Sequence, residues 1–236
     1  MTRLTAASIW DGMSSAMMAD LARLFFLVAP FTLLPAVAIE LLGPPAPASI
    51  TTISGEQMLF RLALPSLIGA IGQLAAAALV LRADLTPRDA LAAALAAWPL
   101  YVLAQLIGSL PVSLGLMLLV VPGIWLFGRL LFLTGAIAVT QRGSPLDLLR
   151  RSWALSADHG LHIGLFLVLG LFGLIGVEIL AEGAGAALDV VARAVGLDSV
   201  GHFLRALLPG IANCLVTIGI GAAGAAAYVK LVQRHV

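Results

Sequence analysis

The sequence predicts an all-α integral membrane bundle of about six transmembrane helices plus interfacial amphipathic helices. Of its 236 residues, 61% are hydrophobic and 11% are charged, against about 45–50% and about 25% in ordinary soluble domains. The mean hydropathy is +1.08. Because each bilayer-crossing helix needs about 20 apolar residues, about six such helices use about half of the chain. We therefore expect a single membrane domain over residues 1–236, without a separate catalytic domain.

The elements follow in order from the apolar stretches. Residues 1–20 are too polar to span a membrane, and the helical spacing of Ile9, Met13 and Met17 predicts an interfacial helix. Spans one to four are expected within 21–139, at about Leu21–Leu42, Leu59–Leu81, Ala90–Ser109 and Val112–Val139, with Pro111 opening the fourth. A cytoplasmic amphipathic helix is expected within 140–160. Spans five and six follow within 161–236, at about Leu161–Leu180 and Leu204–Leu231, with a third interfacial helix near 184–196 between them.

The distribution of Lys and Arg predicts the orientation. Nine cations share one side of the predicted topology, namely Arg3, Arg23, Arg82, Arg88, Arg142, Arg150, Arg151, Lys230 and Arg234. Only Arg61, Arg193 and Arg205 fall on the other side, so both termini are expected in the cytoplasm. The net charge of +1 gives no basic surface for nucleic acid, and the single cysteine, Cys214, excludes an intrachain disulfide.

Span four carries the most informative residues. Pro122 lacks an N–H and is followed by Gly123, which predicts a break inside this span. Arg129 lies about two turns further on, where a charge costs from about 3 kcal/mol upward, so it should face the bundle and have polar partners. Candidate partners on other spans are Gln73, Gln105 and Asn213. This intramembrane polar cluster either forms an anion or headgroup site around Arg129, or Arg129 is an internal arginine that ties helices together or extends its charge toward the cytoplasm.

The segment after span four has the signature of a helix start. Ser144 is a predicted N-cap, Pro145 takes the first helical position and Asp147 the third. The helix is expected to end at Gly160. Its leucines and Trp153 share one side, and its arginines lie on the other. Two interpretations of these arginines stay open. Either they bind an anionic lipid or an acidic partner protein, or they serve only to set the orientation of the chain in the membrane.

Together these residues form an ordered motif. It consists of Pro122-Gly123-Ile124, Arg129, Ser144-Pro145, Leu149-Arg150-Arg151-Ser152-Trp153, Leu155 and His159. The motif resembles the bacterial glycerophosphoryl diester phosphodiesterase membrane-domain family and the related YciC-type inner-membrane proteins. The resemblance implies a six-helix domain of the bacterial inner membrane with no assigned activity. The phosphodiesterase chemistry in the family name belongs to a separate soluble barrel, so the resemblance transfers no catalytic residues.

Other apparent motifs favour structural interpretations. The GxGxxG at Gly219–Gly224 lies in an apolar span with no preceding strand, which predicts a helix-packing face like that of Gly170, Gly173 and Gly176 in span five. Asp158, His159 and His162 lack a fourth metal ligand. Glu178 and Glu182, one turn apart at the mouth of span five, are expected to be solvated. We predict no catalytic, cofactor-binding or metal-binding residues and no cofactor.

Three functions remain open on the sequence alone. The first is a non-enzymatic membrane protein that binds lipids, or a partner protein at its cytoplasmic face, in membrane homeostasis. The alternative is a small transporter or channel with its site near the broken fourth span. The third is a lipid-headgroup enzyme, for which the sequence offers no nucleophile or metal set. Homo-oligomerisation also stays open.

Overall fold

The computed structural model describes residues 4–45, 53–141 and 143–233, and these residues form helices without a strand. Six helical segments are long and apolar enough to cross a membrane, which confirms the all-α membrane bundle. The helices are α1 (Ala6–Ala19), α2 (Leu21–Leu42), α3 (Gly55–Leu81), α4 (Pro87–Leu118), α5 (Val120–Leu130), α6 (Thr134–Thr140), α7 (Pro145–Leu155), α8 (Gly160–Ala194) and α9 (Asp198–Val232). Three of the nine cations from which the orientation is predicted, Arg3, Arg142 and Arg234, lie outside the described residues.

The core lies where α2, α3 and α9 meet, and small residues let these helices approach closely. A Cβ added at Gly221 would lie 2.7 Å from the carbonyl oxygen of Gln73, and one at Gly224 would lie 3.1 Å from that of Phe132. The alanines at 75–78 of α3 are nearly inaccessible to solvent. Without a hydrophobic force between helices in lipid, such close contact supplies the packing energy. The GxGxxG segment is therefore a helix-packing face, as the sequence predicts.

The glycines of span five do not behave in the same way. A Cβ added at Gly170, Gly173 or Gly176 would meet no atom within 4 Å. These glycines therefore pack against no other part of the described chain, so of the two uses that their spacing allows, internal packing and dimerisation, only dimerisation stays open. Glycine spacing alone cannot report which side of a helix faces its neighbours, because it carries no information on where those neighbours lie.

The boundary between spans three and four differs from the prediction. Helix α4 continues through Pro111 to Leu118, and the chain reverses at Leu119, whose backbone is extended. Pro122 therefore lies in the first turn of α5, where backbone N–H groups need no intrahelical acceptor. The predicted break inside the span at Pro122 is thus wrong. Gly123 serves the close packing of the α4–α5 hairpin instead, since its Cα lies 3.0 Å from a Cβ added at Gly115.

Span four is nevertheless interrupted, at residues 131–133. There the Phe132 N–H reaches back five residues to the carbonyl oxygen of Phe127, at 3.1 Å. The Thr134 N–H reaches back only three, to the carbonyl oxygen of Leu131, at 3.2 Å. The Thr134 hydroxyl donates to the same oxygen at 2.6 Å. This side-chain bond compensates the irregular backbone inside the bundle.

The two short helices α1 and α7 are built alike. Each begins with a capping box, of Thr5 with Ser8 in α1 and of Ser144 with Asp147 in α7. Each precedes a long span, and the fourth residue of each, Ile9 and Leu148, is buried. Helix α1 packs against α9, whereas α7 packs against α4, α5 and α6. The two short helices therefore begin alike but pack against different parts of the bundle.

Two further boundaries also need correction. Helix α7 ends at Leu155, a short 3₁₀ turn follows, and Gly160 begins α8 rather than ending the preceding helix. Helix α8 then runs without interruption to Ala194, so the predicted separate interfacial helix near 184–196 does not exist. Its polar residues continue the same helix beyond the apolar stretch.

Candidate functional site

A polar cavity opens between α2, α3 and α9. This inner chamber has a volume of about 400 Å³. It is lined by Thr32 of α2, by Arg61, Leu62, Pro65, Ser66, Gly69, Ala70 and Gln73 of α3, and by Asn213 and Thr217 of α9. Six of these ten residues have polar side chains, so the cavity brings together polar groups from three membrane spans.

A second cavity of about 390 Å³ adjoins the first and shares Arg61, Pro65 and Asn213 with it. This outer chamber carries most of the charge. Its further ionisable residues are Glu40 of α2, Glu178 and Glu182 of α8, and Arg205 of α9. We call the two chambers together the polar cleft. The cleft therefore carries five ionisable residues in its outer part, and Arg61, at the junction, is the one ionisable residue among those that line the inner part.

The backbone of α3 is irregular where it borders the cleft. Residues Met58–Ala63 form a π-helix, in which the Leu64 N–H donates to the carbonyl oxygen of Leu59. Pro65 has no N–H to donate to the carbonyl oxygen of Arg61, which removes one ordinary helical bond. π-Helical turns are rare and occur frequently at functional sites. This turn carries Arg61 into the cleft.

Arg61 links α3 to the end of α2. Its Nη1 lies 2.9 Å from Oε2 of Glu40, and its Nε donates to the carbonyl oxygen of Pro44 at 2.7 Å. The guanidinium is therefore held by a carboxylate and a carbonyl. This geometry fixes the position of the charge at the junction of the two chambers.

The hydroxyl groups of the inner chamber use their protons within their own helices. Thr32 Oγ1 donates to the carbonyl oxygen of Val28 at 3.3 Å, and Ser66 Oγ to that of Leu62 at 2.6 Å. Thr217 Oγ1 donates to the carbonyl oxygen of Asn213 at 2.9 Å. A hydroxyl that has donated its proton still has lone pairs. Towards a ligand these three groups offer lone pairs, and each can also donate when its hydroxyl rotates away from the helix carbonyl.

The predicted polar cluster is brought together in part. The Tyr101 hydroxyl donates to Oε1 of Gln73 at 3.4 Å and accepts from Nε2 of Gln105 at 2.5 Å. Gln73 also lines the inner chamber with Asn213, whose side-chain amide has no hydrogen bond to any other described residue. Sequence reasoning missed Tyr101, although it lies one turn before Gln105.

Arg129 lies apart from that cluster, against α7. Its guanidinium carbon is 4.0 Å from the ring centre of Trp153 and 5.2 Å from that of Trp125, and Nη2 donates to the carbonyl oxygen of Trp153 at 2.9 Å. The carbonyl oxygen of Arg129 accepts from Ser152 Oγ at 2.8 Å and from Ser156 Oγ at 3.3 Å. These contacts fasten α7 to α5. They match the interpretation of an arginine that ties helices together.

The remaining motif residues build α7 itself. Ser144 is the N-cap, with Pro145 in the first turn, as predicted. The backbone N–H and hydroxyl of Ser144 both donate to Asp147, which lowers the pKa of this carboxyl below its ordinary value. Arg150 and Arg151 are exposed. The part of the motif from Ser144 to Arg151 is therefore a helix start followed by two accessible cations.

Asp189 was not singled out by the sequence analysis, yet it is the most buried charged residue described, with 3% of its surface exposed. Its Oδ2 lies 2.6 Å from Nη2 of Arg193 and 3.7 Å from Nη1 of Arg205. It therefore joins α8 to α9 beside the outer chamber. The spacing of Asp189 and Arg193, one helical turn, is the signal that the sequence offered.

The fold and the cleft define a class of protein: a polytopic all-α membrane protein with a polar cleft between its spans. Across the described residues, no group of three or more His, Cys, Asp or Glu side chains is arranged to hold a metal ion. No family model matches the chain, and no curated protein or solved structure matches it significantly. The resemblance to the phosphodiesterase membrane-domain family therefore stays a prediction.

Proposed function

We propose that this chain is a non-enzymatic protein of the bacterial inner membrane that binds the polar headgroup of a membrane lipid in its polar cleft. The observation that carries the proposal is the cleft itself, which places the unpartnered amide of Asn213 and the charge of Arg61 between membrane spans. A polar group inside a bundle is costly without a hydrogen-bond partner. A bound headgroup would supply that partner.

The surface beside the cleft favours a lipid over a soluble ligand. The most apolar 18-residue window of the α8 span is only 11% buried, the lowest share among the six spans. Val177 and Ile179, on either side of Glu178 in sequence, are exposed at 42% and 66%. Acyl chains lying along this face would bring a headgroup to the carboxylates of the outer chamber. Large exposed apolar surface of this kind is what lipid covers in a membrane protein.

The orientation belongs to the same proposal. An even number of spans puts both termini on one side, and the excess of Lys and Arg on that side supports a cytoplasmic location. Arg150 and Arg151 then face the cytoplasm from α7. They are accessible there to anionic lipid or to an acidic partner protein.

A second candidate, transport of a small polar solute, is favoured by one observation. Polar side chains continue from the cleft through Gln73 and Tyr101 to Gln105. Such a series supplies successive hydrogen-bonding positions for a solute. Transport predicts that a soluble compound crosses the membrane of liposomes that contain the protein, which lipid binding alone does not.

Native mass spectrometry of the protein released from lipid nanodiscs tests the proposal. We expect the wild-type chain to retain lipid, and Asn213→Leu to retain much less, because leucine replaces the amide shared by both chambers. Ser109→Leu is the matched control, since Ser109 lies on α4 outside the cleft. Equal lipid occupancy in all three proteins would contradict the proposal. A co-purified protein in place of lipid would redirect it to partner binding.

A further inference from the structure

The two chambers of the polar cleft share three lining residues, Arg61, Pro65 and Asn213. Other residues belong to one chamber only: Thr32 lines the inner chamber and Glu178 the outer one. A polar group that moves from the outer chamber into the inner one therefore passes the three shared side chains. Arg61 is the longest of them and the only one with a charge.

Contacts from the end of α2 fix the position of Arg61. Its Nη1 donates to Oε2 of Glu40 at 2.9 Å, and its Nε donates to the carbonyl oxygen of Pro44 at 2.7 Å. Gln57, one turn earlier on α3, adds a contact between the same two segments, because its Nε2 donates to the carbonyl oxygen of Pro45 at 2.9 Å. The end of α2 therefore holds the guanidinium where the two chambers meet.

The backbone that carries Arg61 has an alternative hydrogen-bond arrangement. In the π-helical turn the Leu64 N–H donates to the carbonyl oxygen of Leu59, whereas in an α-helix it would donate to that of Phe60. Moving this one bond would turn the preceding residues by about 100° about the helix axis. Pro65 has no N–H with which to oppose the change. The segment that bears Arg61 can therefore change position without a net loss of backbone bonds.

From the shared lining, the contacts of Arg61 and the irregular backbone, we propose that Arg61 is a gate between the two chambers, held closed by Glu40 and the carbonyl oxygen of Pro44. The gate goes beyond the proposed function, because it controls access to the inner chamber whichever polar group enters. The Arg61 side chain is 19% exposed and that of Glu40 is 44% exposed. When the ion pair breaks, water can solvate the Glu40 carboxylate, so opening leaves no fully buried, unpaired carboxylate.

The test measures how fast a water-soluble thiol reagent reaches the inner chamber of the full-length chain in nanodiscs. The reporter is Thr32→Cys in a Cys214→Ala background, because Thr32 lines only the inner chamber and Cys214 is the single native cysteine. Two methanethiosulfonate reagents are compared, one with a sulfonate group and one with a trimethylammonium group, since a charged reagent avoids the hydrocarbon.

Adding Glu40→Gln should raise the labelling rates of both reagents by about threefold to tenfold, the effect of losing one hydrogen bond of a charged group at a partly exposed site. The loss of the Glu40 charge alone would accelerate the anionic reagent and slow the cationic one. Opposite changes for the two reagents, or unchanged rates for both, would therefore overturn the gate.

Three further variants complete the test. Asp20→Asn is the matched control: it breaks the ion pair with Arg23, at 3.4 Å and outside the cleft, and should change neither rate. Arg61→Gln should accelerate labelling as Glu40→Gln does, and combining the two should add nothing, so multiplied effects would contradict a single gate. A cysteine reporter at Ala136→Cys, in α6 and 1% exposed, should stay unlabelled in the Glu40→Gln protein. Labelling there would show a general loosening of the bundle and would also overturn the gate.

Discussion

Replacing Arg129 tests whether this intramembrane charge is structural. Arg129→Ala removes two cation–π contacts, each of about 0.5–1 kcal/mol. It also removes the hydrogen bond that the charged guanidinium donates to the carbonyl oxygen of Trp153. A hydrogen bond from a charged donor contributes about 1.5–3 kcal/mol. Because contacts within one network are not additive, we expect a loss of about 2–4 kcal/mol in the free energy of unfolding. At about 2–4 °C per kcal/mol for a chain of this size, the midpoint should fall by about 4–16 °C.

The assay is thermal unfolding in nanodiscs, followed by tryptophan fluorescence, since two tryptophans flank the arginine. Arg129→Lys keeps the charge but loses the planar stacking on the indole rings, so its midpoint should lie between those of wild type and alanine variant. Arg150→Ala is the matched control, because that arginine is exposed on the same helix pair. A midpoint for Arg129→Ala equal to that of the control would refute the structural role. The structural role would also be refuted if Arg129→Ala lost lipid binding while its unfolding midpoint stayed at the wild-type value.

Two further predictions follow from the fold. Gly221→Val should destabilise the bundle by at least about 1–3 kcal/mol, because its Cβ would lie 2.7 Å from the backbone oxygen of Gln73. Gly170→Ala, which meets open space, should leave the unfolding midpoint unchanged or raised; equal losses in the two variants would contradict the packing. The pKa of the Asp147 carboxyl is lower in the folded protein than in the unfolded chain. Its ionised form therefore stabilises α7 fully at a pH above the unfolded-state pKa, and this stabilisation is lost as the pH falls through the folded-state pKa. A titration of unfolding against pH should show this loss in wild type, and Asp147→Asn should abolish it.

Much of the architecture could be predicted because it depends on local properties. Span one was expected at Leu21–Leu42, and α2 has these bounds, since hydropathy and length alone define it. The cap at Ser144 was equally predictable, because a serine, a proline and an acid at fixed spacing satisfy the first N–H groups of a helix. Both features require only neighbouring residues.

The prolines were harder to interpret. A proline removes one backbone N–H donor and restricts the local backbone, but it does not determine where the chain reverses direction. Pro111 was expected to open a helix and lies inside one, whereas Pro122 was expected to break a helix and lies in its first turn. The turn at Leu119 brings Gly115 of α4 against Gly123 of α5. That contact joins two helices and has no local signature.

The sequence by itself determined that this chain forms a bundle of membrane-spanning helices. It also determined which stretches cross the membrane and which polar residues are unusual within those stretches. It did not determine which of those residues meet. Gln73, Arg129 and Asn213 are all polar positions in apolar helices, yet only Gln73 and Asn213 line the cleft, while Arg129 lies against α7. The physical reason is that hydropathy acts residue by residue, whereas a site is made by side chains from different helices. Their meeting is decided by helix packing, in which small residues such as Gly221 set the distances.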